Sequence, residues 1–206
     1  MMPKFILASN SPRRREILSM LGMNFQVIVS DCDENIESGL SPDAAVCELA
    51  RRKAEAVFRS LPSADNCIVL GSDTMVWDGT RPLGKPKDKE DAYNTLMSLS
   101  DKEHSVFTGI ALIGNIDGKT VSACEAAETK VVFAELSEAE VQSYVDSGEP
   151  LDKAGSYGIQ GPGGIFVREL HGDYYNVVGL PIYLMRQMLK RNFGLDTEDY
   201  VGKVKK

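Results

Sequence analysis

No two of the four cysteines stand in a C-x-x-C pair. Cys32, Cys47, Cys67 and Cys124, taken with the only two histidines, His104 and His171, form no zinc-finger spacing and no H-E-x-x-H. The thiols therefore read as reduced, which suits a cytoplasmic protein. Long apolar runs are also lacking. None approaches the roughly 18 residues of a membrane span, and the four apolar residues Phe5 to Ala8 are too few for a signal peptide. Positive charge is in deficit: 23 Lys and Arg face 30 Asp and Glu, a formal net charge of −7. Nucleic-acid polymers are held by neutralising their phosphates, so such a chain is a poor partner for them. A small, locally basic pocket remains compatible with the charge. Three familiar signatures are missing as well: the Walker-A loop, a G-x-G-x-x-G after a strand, and a G-x-S-x-G elbow.

What is present is ordinary globular material, 43% hydrophobic and 26% charged over 206 residues. The reading is a single domain over residues 1–206, with a frayed tail from about 196 that ends in Lys203, Lys205 and Lys206. Phe5 to Ala8 reads as a buried strand. Ser11-Pro12 then opens a helix that Gly22 stops, and Ser41-Pro42 opens a second one through about Phe58. Cys67 to Leu70 is a strand, and Met75 to Trp77 its continuation beyond Gly71-Ser72-Asp73-Thr74. Asp88 caps a helix to about Leu99, and a long hairpin runs from Ser105 to Phe133. Ser137 to Glu140 is a capping box, and Gly148 and Pro150 end its helix. Leu151 to Gly164, with five glycines, forms no regular element; Ile165 to Leu170 is a strand and Pro181 opens the last helix. Alternating strands and helices followed by a hairpin argue for an α/β fold with a mixed sheet.

Five places carry chemistry. Ser9-Asn10-Ser11-Pro12-Arg13-Arg14-Arg15 joins a strand to a helix, where free backbone N–H groups and the helix dipole favour an anion. Arginines are unfavourable at a helix N-terminus by about 0.3–1 kcal/mol. Three together there ask for a reason, and Arg13 and Arg14 flanking a phosphate supply one. Asp73 with Thr74 follows a buried strand; the aspartate either holds a divalent metal, takes a proton from water, or caps a turn. The acidic loop Asp31, Asp33, Glu34 and Glu37 is either solvated or a source of a Mg²⁺ ligand. Lys53 and Lys85 can reach phosphate as point charges, although a solvated helix face accounts for Lys53 equally well. The glycines from Gly155 to Gly164 let backbone approach a ligand, or simply make turns. Together these describe a site for a polyphosphate and a divalent cation, with an aspartate able to activate water.

Taken in order, these segments resemble the Maf family of nucleotide pyrophosphatases. They are Leu7 to Arg14, Ala50-Arg51-Arg52-Lys53-Ala54, Gly71 to Thr74, Gly84-Lys85-Pro86, Thr108-Gly109, Leu151 to Gly161, and Asn176 to Pro181. The resemblance implies an α/β fold with a bent mixed β-sheet flanked by helices, two lobes around a central cleft, and often a homodimer. It implies hydrolysis of a nucleoside triphosphate to monophosphate and diphosphate with a divalent cation, Mg²⁺ or Mn²⁺. It implies that Asp73 is the proton acceptor, and that Ser9, Arg13, Glu34, Lys53 and Lys85 line the phosphate and metal site. Arg13, Thr74 and Gln160 match the family's dTTP- and UTP-hydrolysing branch rather than its 7-methyl-GTP branch, whereas Ser72 departs from the commoner alanine. A glutamine amide can pair with the imide edge shared by thymine and uracil, worth about 1–3 kcal/mol of discrimination. The alternatives are a pyrophosphatase for modified or non-standard purine nucleotides, and a nucleotide-binding regulator of septum formation.

Overall fold

The computed structural model describes residues 2–29, 31–36, 39–63, 65–116 and 118–202. Among the described residues seven strands form one mixed sheet: β1 (Lys4–Ala8), β2 (Gln26–Val27), β3 (Cys67–Trp77), β4 (Pro82–Leu83), β5 (Glu103–Ile116), β6 (Lys119–Phe133) and β7 (Val167–His171). Their order is β2-β1-β3-β5-β6-β7, with β4 paired to β3. β1 is parallel to both β2 and β3, while β4 on β3 and β7 on β6 are antiparallel. Among the described residues six α-helices accompany the sheet: α1 (Pro12–Met20), α2 (Pro42–Ser60), α3 (Lys89–Leu99), α4 (Glu138–Asp146), α5 (Tyr174–Val178) and α6 (Ile182–Phe193). Among the described residues no helix is long and apolar enough to cross a membrane.

The chain divides into two compact units. The first takes the described residues up to Asp73 together with 108–127 and those from Gly179 onward. Its core gathers Ile6 and Ala8 of β1, Val69 of β3, Ala111 and Ile113 of β5, and Ala50, Ala54 and Val57 of α2. The helix earns its place through spacing: Val46, Leu49, Ala50, Ala54 and Val57 recur at three- and four-residue intervals and are buried. Two glycines let α2 come unusually near. A methyl on Gly71 of β3 would lie 2.1 Å from the Ala50 carbonyl oxygen, and one on Gly109 of β5 would lie 2.4 Å from that of Val46. Gly71 is therefore a notch for a helix, not a turn, and β3 runs unbroken through Gly71-Ser72-Asp73-Thr74 where the sequence reading interrupts it. Where that reading starts a loose end at about 196, Thr197–Tyr200 form a 3₁₀ turn instead. Tyr200 is 5% exposed, its ring lies against Phe5, and its carbonyl accepts from Asn24 N–H at 2.8 Å. Lys203, Lys205 and Lys206 lie outside the described residues.

The second unit takes residues 74–107 and 128–178. Its core joins Val76, Leu83, Leu96, Val106, Val131, Phe133, Val141, Tyr144, Tyr157 and Phe166. Asp88 caps α3 by accepting from Asp91 N–H, and Ser137 with Glu140 closes both bonds of the capping box on α4. The glycine-rich stretch is three short 3₁₀ turns, Glu149–Asp152, Ala154–Ser156 and Pro162–Phe166, so β7 begins at Val167 rather than Ile165.

Candidate active site

In the first unit the site grows from the end of β1 where it lies beside the middle of β3. Ala8, the last residue of β1, is level with Gly71 of β3, so Ser9 leaves the sheet beside Ser72 and Asp73. Carboxyl ends of parallel strands are where α/β sheets hold ligands. Ser9 is buried, and its hydroxyl accepts from Ser11 N–H at 3.2 Å and from Arg14 Nη1 at 3.1 Å. Ser11 makes no side-chain cap on α1. The three arginines part company. Arg14 is 8% exposed and turns inward, donating from Nε to the Gly179 carbonyl at 2.8 Å. Burial lowers its pKa from the ordinary arginine value, and Asp73 and Glu34 act against that burial. Ser72 Oγ donates to the same Gly179 oxygen at 3.1 Å. Arg14, grouped with the phosphate binders by its sequence position, thus fastens Ser9 and the 179 backbone from within. Arg13 is half-buried and Arg15 exposed.

Lys53 stands at the centre. It falls on the buried stripe of α2, seven residues after Val46 and three after Ala50, and its side chain is 12% exposed. Its Nζ meets Asp73 Oδ1 at 2.7 Å and Glu34 Oε1 at 2.8 Å. Burial opposes its charge, but the two carboxylates outweigh burial and raise its pKa above the ordinary lysine value. Lys53 is therefore a fixed cation at neutral pH. Asp73 has a 16% exposed side chain, while Glu34 is 67% exposed on its loop.

That loop is fastened by a residue the sequence reading passed over. Arg52 Nη1 donates to the carbonyls of Asp33 at 3.3 Å and Asn35 at 2.7 Å, on either side of Glu34. Glu48 Oε1, one helical turn earlier, accepts from Arg52 Nε at 2.8 Å. The available signal was the i,i+4 spacing of Glu48 and Arg52 next to an acidic loop. Of the other loop carboxylates, Asp33 holds Asn35 N–H at 2.9 Å, and Glu37 lies outside the described residues.

Thr74, Lys85 and Gln160 belong to the second unit. Side chains two apart on a strand share a face, so Thr74 lies on the face of Val76. Gly155 packs there: a methyl on it would stand 3.0 Å from Val76 Cγ1 and Cγ2. Gly155 N–H also donates to the Gly84 carbonyl at 3.1 Å, which ties the turn bearing Lys85 to the segment bearing Gln160. Lys85 and Gln160 are both exposed. The segment itself is firmly held. His104 Nε2 and the Tyr157 hydroxyl are 2.8 Å apart, with the His104 ring edge-on to Tyr157 and Phe133. The Tyr144 hydroxyl accepts from Gly158 N–H at 3.3 Å.

Among the described residues no group of three or more His, Cys, Asp or Glu side chains is arranged to hold a metal ion. A cage is not what Mg²⁺ requires; it takes one or two carboxylates and completes its shell with water and substrate phosphates. Glu34 and Asp73, both within hydrogen-bond reach of one ammonium, supply such a pair of hard oxygens.

Comparison with known proteins gives the chain its relatives. Curated relatives named dTTP/UTP pyrophosphatase, from Bacillus anthracis (strain CDC 684 / NRRL 3495) and Bacillus cereus (strain AH820), are each 50% identical over 95% of this chain and 98% of theirs. One of the same name from Bacillus cytotoxicus is 50% identical over 92% of this chain and 96% of its own. Residues 4–192, which include every site residue named above, match the family described as Maf-like protein, and to that family the chain belongs.

Proposed function

We propose that the protein is a nucleoside triphosphate pyrophosphatase that hydrolyses dTTP and UTP to the monophosphate and diphosphate. The observation that carries the reading is Lys53, a largely buried cation that gathers Asp73 and Glu34 beside the Ser9 turn. The names of the half-identical relatives support the same substrates.

A divalent cation, Mg²⁺ or Mn²⁺, held by Glu34 and Asp73, supplies charge neutralisation of the phosphates when bound. Asp73 accepts the proton of the attacking water. Lys53 does not compete for that role, because its raised pKa keeps it protonated. Its positive charge, with those of Arg13 and Lys85, stabilises the charge that grows on the leaving diphosphate. Ser9 donates to phosphate from a hydroxyl oriented by Arg14. Gln160 reads the imide edge of the base, with Thr74 and Arg13 as the other residues that separate pyrimidine from purine substrates. The reading includes a cytoplasmic enzyme that acts on free nucleotides rather than on nucleic acid or membranes, and a homodimer.

The test is diphosphate release from dTTP, UTP, CTP, dGTP, ITP and 7-methyl-GTP with Mg²⁺ or Mn²⁺, by wild type and by Asp73→Asn. Turnover concentrated on dTTP and UTP is expected. A general base contributes about 10²–10⁴-fold, so Asp73→Asn should lose at least about a hundredfold while folding normally. Turnover concentrated on ITP or 7-methyl-GTP would discard the role given to Gln160. A folded protein inactive on every substrate would favour the regulator of septum formation.

A further inference from the structure

Two cysteines that stand far apart in the chain meet in the first unit. Cys47 is on α2 and Cys124 on β6. The Cys124 thiol donates to the Cys47 carbonyl at 3.2 Å, and the two thiols are within hydrogen-bond reach of each other. The meeting is enforced by backbone packing: a methyl on Gly109 would lie 2.4 Å from the Val46 carbonyl oxygen and 2.7 Å from Cys47 N. Both cysteines are partly exposed, unlike buried Cys67. Neither takes part in the site built around Lys53.

We propose that Cys47 and Cys124 form a dithiol modification site, which a low-molecular-weight disulfide such as oxidised glutathione converts to an intramolecular cystine. In the first step Cys47 thiolate attacks one sulfur of the reagent. The reagent's S–S bond breaks, a mixed disulfide forms at Cys47, and the released thiolate takes up a proton. In the second step Cys124 loses its proton and attacks the Cys47 sulfur, expelling the second thiolate. Two electrons pass from the protein to the reagent, and one disulfide and two small thiols result. The order follows from the shared hydrogen bond. It favours the thiolate of Cys47, whose pKa lies below the ordinary thiol value, while the same bond and burial push Cys124 up. The cystine would fasten β6 to the helix that carries Lys53, six residues beyond Cys47.

The full chain is incubated with oxidised glutathione, digested without reductant and mapped by mass spectrometry, with thermal melts recorded before and after dithiothreitol. The expected product is a Cys47–Cys124 linked peptide lighter by two hydrogens. A melting temperature higher in the oxidised protein is also expected, with that shift absent in Cys47→Ala and Cys124→Ala. Glutathione retained at either cysteine without a linked peptide would overturn the proposal. So would a link made through Cys32, or an equal melting shift in both variants. The peptide map of the wild type decides the matter even where a variant does not fold.

Discussion

At the scale of single residues, the site depends on side chains that sequence position alone misjudges. Lys53 was readable as one more charge in Arg51-Arg52-Lys53, yet it is the member that lies on the buried stripe of α2. Arg14 was readable as a phosphate ligand, and two of its guanidinium nitrogens, Nε and Nη1, hold the Gly179 carbonyl and Ser9. Arg52 was given no role, yet it pins the backbone on both sides of Glu34. Residues that orient a metal ligand typically govern about 10–100-fold in metal affinity. For Arg52→Gln, a Mg²⁺ requirement raised about tenfold is expected at the low end of that range, with turnover at saturating Mg²⁺ changed little. A Mg²⁺ titration of initial rates measures both, and an unaltered requirement would show that Glu34 needs no such anchor. Ser9, Asp73 and Lys53 were legible as candidates because their residue types suit phosphate chemistry. Their meeting was not legible, since it comes from strand register and helix packing that join residues far apart in the chain.

At the scale of elements, local signals served well wherever the physics was local. Proline at the first turn of α1 and α2, the Asp88 cap and the capping box of α4 all mark helix starts that the structure contains. The signals misled where a long-range contact decided. Gly71 beside Ser72 and Asp73 looks like a turn, but the residue is small because the backbone of Ala50 lies against it. Short α5 carries such a signal in Asp173, whose carboxylate accepts from Tyr175 N–H at 2.8 Å, and its own Asn176 ties it to β5 by donating to the Val106 carbonyl at 2.8 Å. The tight seat of α2 can be measured. Overpacking a well-filled contact costs about 1–3 kcal/mol and occasionally more. Gly71→Ala meets a carbonyl rather than a yielding side chain, so a loss of roughly 3 kcal/mol or failure to fold is expected. Gly84→Ala, where a methyl meets nothing within 4 Å, should stay within about 0.5 kcal/mol of wild type. Urea denaturation compares the two, and equal stabilities would refute the notch.

At the scale of the whole molecule, stability against acid is set in the second core by His104. It is 2% exposed, and burial pushes its pKa down from 6.5 to about 4. The folded chain keeps it neutral, whereas the unfolded chain protonates it below about 6.5. Its contribution is therefore intact above that pH and is lost progressively as pH falls from 6.5 toward 4. At about 1.4 kcal/mol per pH unit the span amounts to roughly 3 kcal/mol. Asp78 acts at lower pH. Burial opposes its charge, but hydrogen bonds from Thr80 and Arg81 prevail and hold its carboxyl at about 2. Denaturation midpoints at pH 7, 5 and 4 should fall steeply in wild type and less steeply in His104→Asn; parallel slopes would clear His104 of the role. The path of the chain has a different kind of consequence. It passes between the two units at four peptide bonds, after Asp73, Phe107, Ala127 and Val178, and three of these lie inside continuous strands. Neither core is written as one uninterrupted stretch of gene. A contiguous fragment that carried the whole second core, residues 74–178, would take residues 108–127 of the first with it, and the first core spans the chain from end to end, so the two have been bound to be inherited together.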